Sequence, residues 1–365
     1  MYETMFSPVT LGKTSLKNRI IFAPTSMGLK DDEYKEKIRK IAAGGCGMII
    51  IGDVPVLKHT LFGKSLYRKK GFAFYQELCQ IAHRYDCRIC AQLHQSDSNL
   101  KGMLKYIPGV LTKKISSDEL RVLLNEQISA LINEMPEWKV REITSSFGQA
   151  ARLAVAAGFD MVQIHGDRMA GSFSSALFNQ RKDCYGGTPE NRARFAAEAV
   201  KSVRKALPEV SIDYKLAVRL ENPDYGKAGI LEEELPIFLP LLEEAGVNSY
   251  HVTLANHSHL TDTIPPASHQ AFSGEGCFLP ICDQVRRFTN LPITGVGGLT
   301  NPDFIGEQLA SGRMSRQLIA DSDWPQKVKS GEKDKIHRCV RCNRECLGGI
   351  QAHRGVHCIY DHRNS

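Results

Sequence analysis

The C-terminal tail contains four cysteines whose spacing could hold an iron–sulfur cluster. They follow the pattern C-x2-C-x3-C-x11-C and lie at Cys339, Cys342, Cys346 and Cys358. Three thiolates from one short loop and a fourth from a later turn are the ligand set that a [4Fe–4S] cluster requires. A structural zinc site needs the same four residues, but its usual spacing repeats a C-x2-C pair, which the tail contains once. We therefore expect a [4Fe–4S] cluster, with zinc as the alternative.

Composition and charge limit the classes of protein to which the chain can belong. The chain has 365 residues, 42% of them hydrophobic, which is enough for one large domain or two small ones. No apolar run is long enough to span a membrane, the N-terminus does not resemble a signal peptide, and the cysteine usage favours the reducing cytoplasm. Of the net charge of +7, residues 327–363 contribute +5, from nine Lys and Arg against four Asp and Glu. Because no aromatic platform interleaves these charges, we expect the tail to offset an anionic cluster or to dock an acidic electron donor, and not to bind nucleic acid.

Short apolar runs alternate with longer stretches of helical periodicity. The expected strands are 19–22, 47–51, 88–93, 160–164, 216–219, 249–253 and 293–296. The expected helices are 34–43, 74–84, 136–157, 191–205, 232–243, 279–288 and 302–310. Seven such units predict an α/β fold of the (β/α)8 TIM-barrel class. A doubly wound open sheet is the alternative, but no G-x-G-x-x-G follows the first strand.

Two segments interrupt this pattern. An eighth strand should follow Gly312, but the next residues leave almost no room for it, so either the barrel closes irregularly or residues are missing between Gly312 and Arg316. The long, charged segment 97–135 follows the third strand, at the face where barrels carry their active sites, and is predicted to be a lid or subdomain. We therefore divide the chain into a barrel, 1–330, with this insertion, and a cluster-binding segment, 331–365.

Short motifs at the ends of the expected strands occur in an order typical of one enzyme family. They are residues 16–20 with 23–24, 91–94, 179–181 with 185–187, 190–192, 218–220 and 295–298. With the cysteine spacing, they make almost the whole chain similar to the Old Yellow Enzyme family of flavin oxidoreductases. The likeness is greatest to its iron–sulfur branch, which contains 2,4-dienoyl-CoA reductase and trimethylamine dehydrogenase.

This resemblance implies FMN at the C-terminal face of the barrel. Pro24 and Thr25 would contact the flavin, and Gln92 would bond its pyrimidine edge. Arg219 would lie near flavin N1 and O2, where a cation stabilises the charge of the reduced ring. The turn Gly297-Gly298 would let backbone N–H groups approach the phosphate. Each residue also has a purely structural interpretation, as an ion pair, a buried hydrogen bonder or a turn.

The end of the fourth strand departs from the family pattern His-x-Ala-His/Asn-Gly-Tyr. His165 remains, but Arg168 takes the second carbonyl-binding position and Ala170 replaces the proton-donating Tyr. The run from His165 to Arg168 is similar to that of a clade of the family that reduces bilirubin in gut bacteria. We expect Arg168 to anchor a carboxylate or lactam oxygen and Asp167 to hold or deliver a proton. A structural Asp–Arg salt bridge is the alternative.

These expectations form one hypothesis of function. His165, Asp167 and Arg168 would serve the reduction of conjugated C=C bonds, with bilirubin reduced toward urobilinogen by hydride transfer from flavin N5. The cluster would relay electrons from NAD(P)H or from a reduced partner protein, such as a flavoprotein or ferredoxin. The alternatives are an enoate or 2,4-dienoyl-CoA reductase of the same family and a non-catalytic barrel with a metal-binding tail. The sequence leaves the oligomeric state open.

Overall fold

The computed structural model describes residues 2–60, 63–97, 106–112, 114–115, 119–120, 123–124, 126–220, 227–255, 261, 264–310 and 320–361. The strands are β1 (Val9–Leu11), β2 (Thr14–Leu16), β3 (Ile21–Phe22), β4 (Met48–Pro55), β5 (Arg88–His94), β6 (Met161–His165), β7 (Ser211–Arg219), β8 (Ile230–Leu231), β9 (Ser249–Leu254) and β10 (Ile293–Thr294). The helices are α1 (Glu3–Phe6), α2 (Asp31–Ala43), α3 (Lys69–His83), α4 (Ile107–Leu111), α5 (Ile128–Glu134), α6 (Glu137–Ala157), α7 (Met169–Ser174), α8 (Pro189–Ala206), α9 (Leu235–Ala245), α10 (Leu279–Arg286), α11 (Pro302–Ala310), α12 (Trp324–Lys329) and α13 (Leu347–Gln351).

One parallel sheet forms the centre of the fold. Its strands lie in the order β3, β4, β5, β6, β7, β9 and β10, with the short β8 paired to β7. Apart from β8, neighbours in space are also neighbours along the chain, as in the consecutive βα units of a barrel. The eighth strand expected after Gly312 would join β10 to β3, but residues 311–319 lie outside the described part of the chain.

Burial on both faces explains the composition of the strands. Residues 48–51 of β4 are all buried, and so is the whole of β6, as in parallel sheets that helices cover. The two longest helices, α6 and α8, each bury an apolar face. Gly158 and Gly246 end α6 and α9 with φ of 108° and 114°, a left-handed conformation in which a side chain would be strained.

The predicted strands and helices are confirmed, with differences at their ends. The main difference is β7, which begins at Ser211 rather than at residue 216. Its first half was missed because Asp213 and Lys215 interrupt the apolar pattern. The sequence also did not reveal the antiparallel β1–β2 hairpin, which contacts the start of β7 through a 2.9 Å hydrogen bond from Thr14 Oγ1 to Ser211 Oγ. Helix α7, directly after Arg168, was missed as well.

The insertion predicted at 97–135 falls partly outside the described residues. Its helix α5 is attached to the barrel by Ser129 and Asn133, which donate hydrogen bonds of 2.9 and 3.1 Å to the carbonyl oxygen of Phe178. Its role as a lid and the domain boundary at residue 330 stay predictions. Within the described residues, none of the helices combines the length and hydropathy needed to cross a bilayer.

Arg192 on α8 provides a test of the fold. Its buried guanidinium donates to the carbonyl oxygens of Ser174 and Gly187 at 3.0 and 2.8 Å and pairs with the mostly buried Glu234. Arg192→Met should lower the free energy of unfolding by about 3 kcal/mol or more, because it leaves a buried carboxylate and two carbonyls unpaired. Urea denaturation measures this loss. Glu234→Gln, which keeps a polar partner, should cost less, and equal losses in the two variants would contradict the explanation.

Candidate functional site

A layer of polar side chains crosses the interior of the barrel. The sheet register aligns Gln92, Gln163, Asp213 and Ser249 on four successive strands. Gln92 Nε2 donates to Gln163 Oε1 at 2.6 Å, and Gln163 Nε2 donates to Asp213 Oδ2 at 2.5 Å. Burial raises the pKa of Asp213 to about 6, although the hydrogen bonds from Gln163 and Ser249 act in the opposite direction. The layer fixes the side-chain orientation of Gln92, one of the residues expected to bind flavin.

A second polar layer lies two residues further along the strands. It aligns His165, Lys215, His251 and Thr294, because residues two apart on a strand point to the same side. His165, Lys215 and His251 line a cavity of about 340 Å³ at the carboxyl ends of the strands, which we call the mouth cavity. This is the end at which barrel enzymes carry out chemistry.

The two histidines beside Asp53 are held in their neutral form. The ring centres of His94 and His165 are 5.3 Å apart. The pKa of His165 is lowered well below its usual value, first by burial and then by the charge of Lys215. Burial also lowers the pKa of His94, against the opposing effect of Asp53. A neutral histidine can accept or donate one hydrogen bond without adding charge to the site.

Asp53 stands at the centre of this arrangement. Its backbone φ is 54°, Ser26 Oγ donates to its carboxylate, and its Oδ1 lies 3.5 Å from His94 Nδ1 and 3.8 Å from His165 Nε2. Burial opposes ionisation of Asp53, but His94, Ser26 and the cations Arg168 and Lys215 outweigh it, and the pKa is lowered. Asp53, His94 and His165 are close enough to ligate a metal ion, but the two neighbouring cations would oppose one.

The structure brings the predicted catalytic residues together. His165, Asp167 and Arg168 all line the mouth cavity, and Asp167 N donates to His165 Nδ1 at 3.3 Å. Asp167 is buried, and its Oδ2 lies 4.0 Å from the Nζ of Lys215. Burial lowers the pKa of Arg168, but the charges of Asp97, Asp167 and Asp53 raise it by more. Arg168 therefore faces three carboxylates rather than the one that the sequence suggested.

The resulting group of five charged residues is close to neutral. It consists of Asp53, Asp97, Asp167, Arg168 and Lys215, and we call it the mouth charge cluster. With all five ionised, it carries one net negative charge. An incoming carboxylate would be repelled, whereas a neutral carbonyl could still accept a hydrogen bond from Arg168.

The tail cysteines border the same cavity. Cys339, Cys342, Cys346 and Cys358 all contribute to its lining; Cys342 is exposed, and the other three are half-buried. No three of these thiols lie within 4.8 Å of one another, although the structure describes all four cysteines. All four residues border one cavity, and their role as cluster ligands stays a prediction.

Arg341 attaches this tail to the barrel. Its guanidinium donates to the carbonyl oxygens of Pro265 at 3.0 Å and of Ser273 and Gly274 at 2.5 and 2.7 Å. A Cβ atom added at Gly298 would lie 3.0 Å from this guanidinium, at a backbone φ of 63°. A side chain at residue 298 would be strained by this backbone conformation and would require the guanidinium to shift.

The residues expected to bind flavin mostly reach the mouth cavity. Pro24, Thr25, Gln92, Gly297 and Gly298 line it. Arg219 is buried at the end of β7 and is not part of that lining. Its contact with flavin stays a prediction.

Sequence reasoning missed Asp53, Asp97 and Lys215 as site residues. Lys215 carries a signal, because Asp213, Lys215 and Arg219 follow a two-residue period within an apolar strand, which indicates a polar barrel interior. Asp53 follows the apolar run of β4 but gives no sign of which strands it will face.

Comparisons with known proteins place the chain among flavin enzymes. Residues 4–335 match the NADH:flavin oxidoreductase / NADH oxidase family. The chain is 60% identical over 366 residues to a bilirubin reductase of Clostridium symbiosum, covering 99% of this chain and 98% of that protein. It is 31% identical to a bilirubin reductase of Mediterraneibacter gnavus, with 99% of this chain and 57% of that protein covered. This chain thus spans a little over half of the second relative.

Solved structures share the fold at lower identity. A 2-naphthoyl-CoA reductase in complex with 2-naphthoyl-CoA superposes with a TM-score of 0.79 at 20% identity, covering 98% of this chain and 57% of that one. A morphinone reductase in complex with tetrahydroNAD gives a TM-score of 0.63 at 20% identity, with 90% of each chain covered. An Old Yellow Enzyme from Pichia sp. gives 0.64 at 18% identity, with coverage of 90% and 87%. These likenesses confirm the predicted barrel fold.

The titration of Asp213 should make the free energy of unfolding of the protein depend on pH. Its carboxyl keeps a proton up to about pH 6 in the folded protein but loses it near pH 4 when unfolded. The folded state therefore binds more protons in this window, and stability falls as pH rises through it. Asp213→Asn cannot titrate. Its unfolding free energy, measured by urea denaturation, should therefore gain about 2 kcal/mol relative to wild type between pH 4 and 7.

The matched control is Asp32→Asn, at an exposed position on α2. Its difference from wild type should be almost constant over the same range of pH. A constant difference for Asp213→Asn as well would show that Asp213 titrates normally.

Proposed function

Because the chain belongs to the NADH:flavin oxidoreductase / NADH oxidase family, we propose that it is an FMN-dependent reductase of conjugated C=C bonds and that its substrate is bilirubin. The observation that carries the proposal is the 60% identity to a bilirubin reductase over almost the full length of both chains. The mouth cavity supports it, because it gathers the run from His165 to Arg168 and the residues expected to hold flavin.

The mouth cavity has features that suit FMN. Gly297 and Gly298 line this cavity with φ of 108° and 63°, a left-handed conformation that favours glycine, so this part of the lining is backbone without side chains. We propose that this turn holds the phosphate, that Pro24 and Thr25 contact the ring and that Gln92 bonds its pyrimidine edge. When bound, FMN supplies the two electrons and one of the two hydrogens that convert a C=C bond into CH–CH.

The residues of this chain would bind the substrate and supply the second hydrogen. Arg168 would donate to a lactam carbonyl of bilirubin, because this group is neutral and the mouth charge cluster is already slightly negative. Asp167 would relay a proton from solvent to the second carbon, and the ammonium group of Lys215 lies 4.0 Å from its carboxylate. His165 would orient this loop by accepting a hydrogen bond from Asp167 N.

We propose that the four tail cysteines bind a [4Fe–4S] cluster. Thiolates around one zinc ion would lie about 3.8 Å apart, since each Zn–S bond is about 2.3 Å. No three of the tail thiols lie within 4.8 Å of one another in the described structure, so they are not gathered as they would be around one zinc ion. Their position at the mouth cavity would pass electrons from NAD(P)H, or from a reduced flavoprotein or ferredoxin, to the active site.

The proposal is tested with anaerobically purified protein. Its visible spectrum should contain flavin bands with a broad iron–sulfur shoulder, and it should reduce bilirubin. Reduction of a small enone or an enoyl-CoA with no activity on bilirubin would instead identify an enoate or dienoyl-CoA reductase. A colourless, inactive protein would identify a non-catalytic barrel.

Two substitutions separate the expected roles in the catalytic loop. Arg168→Ala should raise KM for bilirubin by about ten- to a hundredfold, because it removes about 1.5–3 kcal/mol of charge-assisted hydrogen bonding. Asp167→Ala should lower kcat by about a hundredfold with normal flavin content. Steady-state kinetics and flavin absorbance measure both effects. Wild-type rates in both variants would show that the two residues only stabilise the loop.

Cys342→Ala tests the cluster. Three thiolates hold a cubane poorly, so iron content should fall and the iron–sulfur shoulder should fade. Flavin absorbance and turnover driven by dithionite should partly remain, because the expected flavin contacts lie elsewhere. Cys184→Ala, outside the tail, is the control. Full iron content in Cys342→Ala, or stoichiometric zinc in wild type, would disprove the cluster.

A further inference from the structure

A second, larger cavity adjoins the mouth cavity. Its volume is about 760 Å³, and it lies between the segments that follow β3 and β4 and the start of α3. Thr25, Ser26 and Asp53 line both cavities. We call it the side cavity. A ligand that reacts in the mouth cavity and is too long for it could extend past Asp53 into this space.

The mouth cavity is too small to hold a long substrate on its own. Its volume of about 340 Å³ is near the lower end for ligand pockets, and the flavin proposed above would take up part of it. The side cavity has more than twice that volume. A tetrapyrrole has two dipyrrole halves. If one half reacts at Arg168, the other must lie outside the mouth cavity.

The wall of the side cavity suits a flat conjugated ring system. Tyr34, Phe74 and Tyr75 form an aromatic group beneath it, with successive ring centres 5.6 Å apart in edge-to-face contacts. Leu29 and Leu57 complete this apolar part. Aromatic and aliphatic walls of this kind bind planar ligands by burying their faces.

The rim of the side cavity is cationic, in contrast to the mouth charge cluster. Lys64 and Arg68 both line it. Lys64 Nζ is 2.7 Å from Asp31 Oδ1 and 4.6 Å from the ring centre of Phe74. Within the described structure the exposed side chain of Arg68 has no ion pair, and the first turn of the adjoining α3 contains no acidic residue. A carboxylate is therefore attracted to this rim and repelled from the mouth charge cluster.

We propose that the side cavity binds the distal half of a long, planar, conjugated substrate and that Arg68 recognises the carboxylate on that half. This inference rests on the proposed function and assigns it a specificity site. Asp53 separates the two regions. Its carboxylate lines both cavities and disfavours the passage of a substrate carboxylate from the side cavity to Arg168. The neutral lactam end of bilirubin enters next to Arg168, and a propionate reaches the cationic rim.

The test compares Arg68→Gln with Lys70→Gln, which removes an exposed cation from the same helix outside the cavity lining. The substrates are bilirubin and its dimethyl ester, which has the same rings and no carboxylate. Arg68→Gln should raise KM for bilirubin about three- to tenfold with little change in kcat, as expected for one partly exposed ion pair. It should leave KM for the ester unchanged. Lys70→Gln should resemble wild type with both substrates.

Binding of bilirubin to the oxidised enzyme, followed by absorbance titration, separates this inference from the proposed function. Wild type that neither binds nor reduces bilirubin would overturn both. Wild type that reduces bilirubin, with Arg68→Gln equal to Lys70→Gln on acid and ester, would overturn the side-cavity assignment alone. A raised KM for NADH in Arg68→Gln, with KM for bilirubin unchanged, would instead assign the cavity to the nicotinamide dinucleotide and would also overturn it.

Discussion

The burial of Lys215 inside the barrel is the constraint on which the site depends. An ammonium group on the inner face of β7 loses most of its hydration, and that loss is tolerable only next to carboxylates. Asp167 lies 4.0 Å away, and Asp53 interacts with the same cation. Arg168 in turn interacts electrostatically with Asp97. Residues on or directly after four neighbouring strands, β4 to β7, are in this way tied to one another by electrostatics. The neighbouring histidines are kept neutral chiefly by burial, and the nearby cations act in the same direction.

The tail completes the site by covering it from outside. Arg341 holds it through backbone carbonyls, and Val356 N donates to Met27 O at 2.7 Å on the opposite side of the mouth. These contacts place the thiols over the mouth cavity and reduce the access of water. Lower access of water strengthens each charge interaction beneath the tail. A barrel that needs a buried charge cluster therefore gains from a tail at this position, whatever the thiols bind.

The sequence predicted the barrel because seven apolar runs and seven amphipathic helices alternate in it, and each of these signals is local. It predicted the meeting of His165 and Arg168 because they are adjacent in the chain. It could not predict that Asp53 would face them, since that contact depends on the register between β4, β5 and β6. The start of β7 was not predicted for a related reason. Asp213 and Lys215 resemble surface residues in the sequence until the strand is known to be inside a barrel. The expected eighth strand and much of the insertion lie outside the described residues.

The family's usual tyrosine is absent from the segment that follows β6. At position 170 the chain has a buried alanine at the start of α7, directly after Arg168. A tyrosine there would add bulk and a second hydroxyl donor beside a guanidinium that already faces three carboxylates. With alanine at this position, the proton function falls to Asp167 in our proposal. In our proposal, the mouth charge cluster and Arg68 at the side cavity favour opposite ends of one substrate molecule.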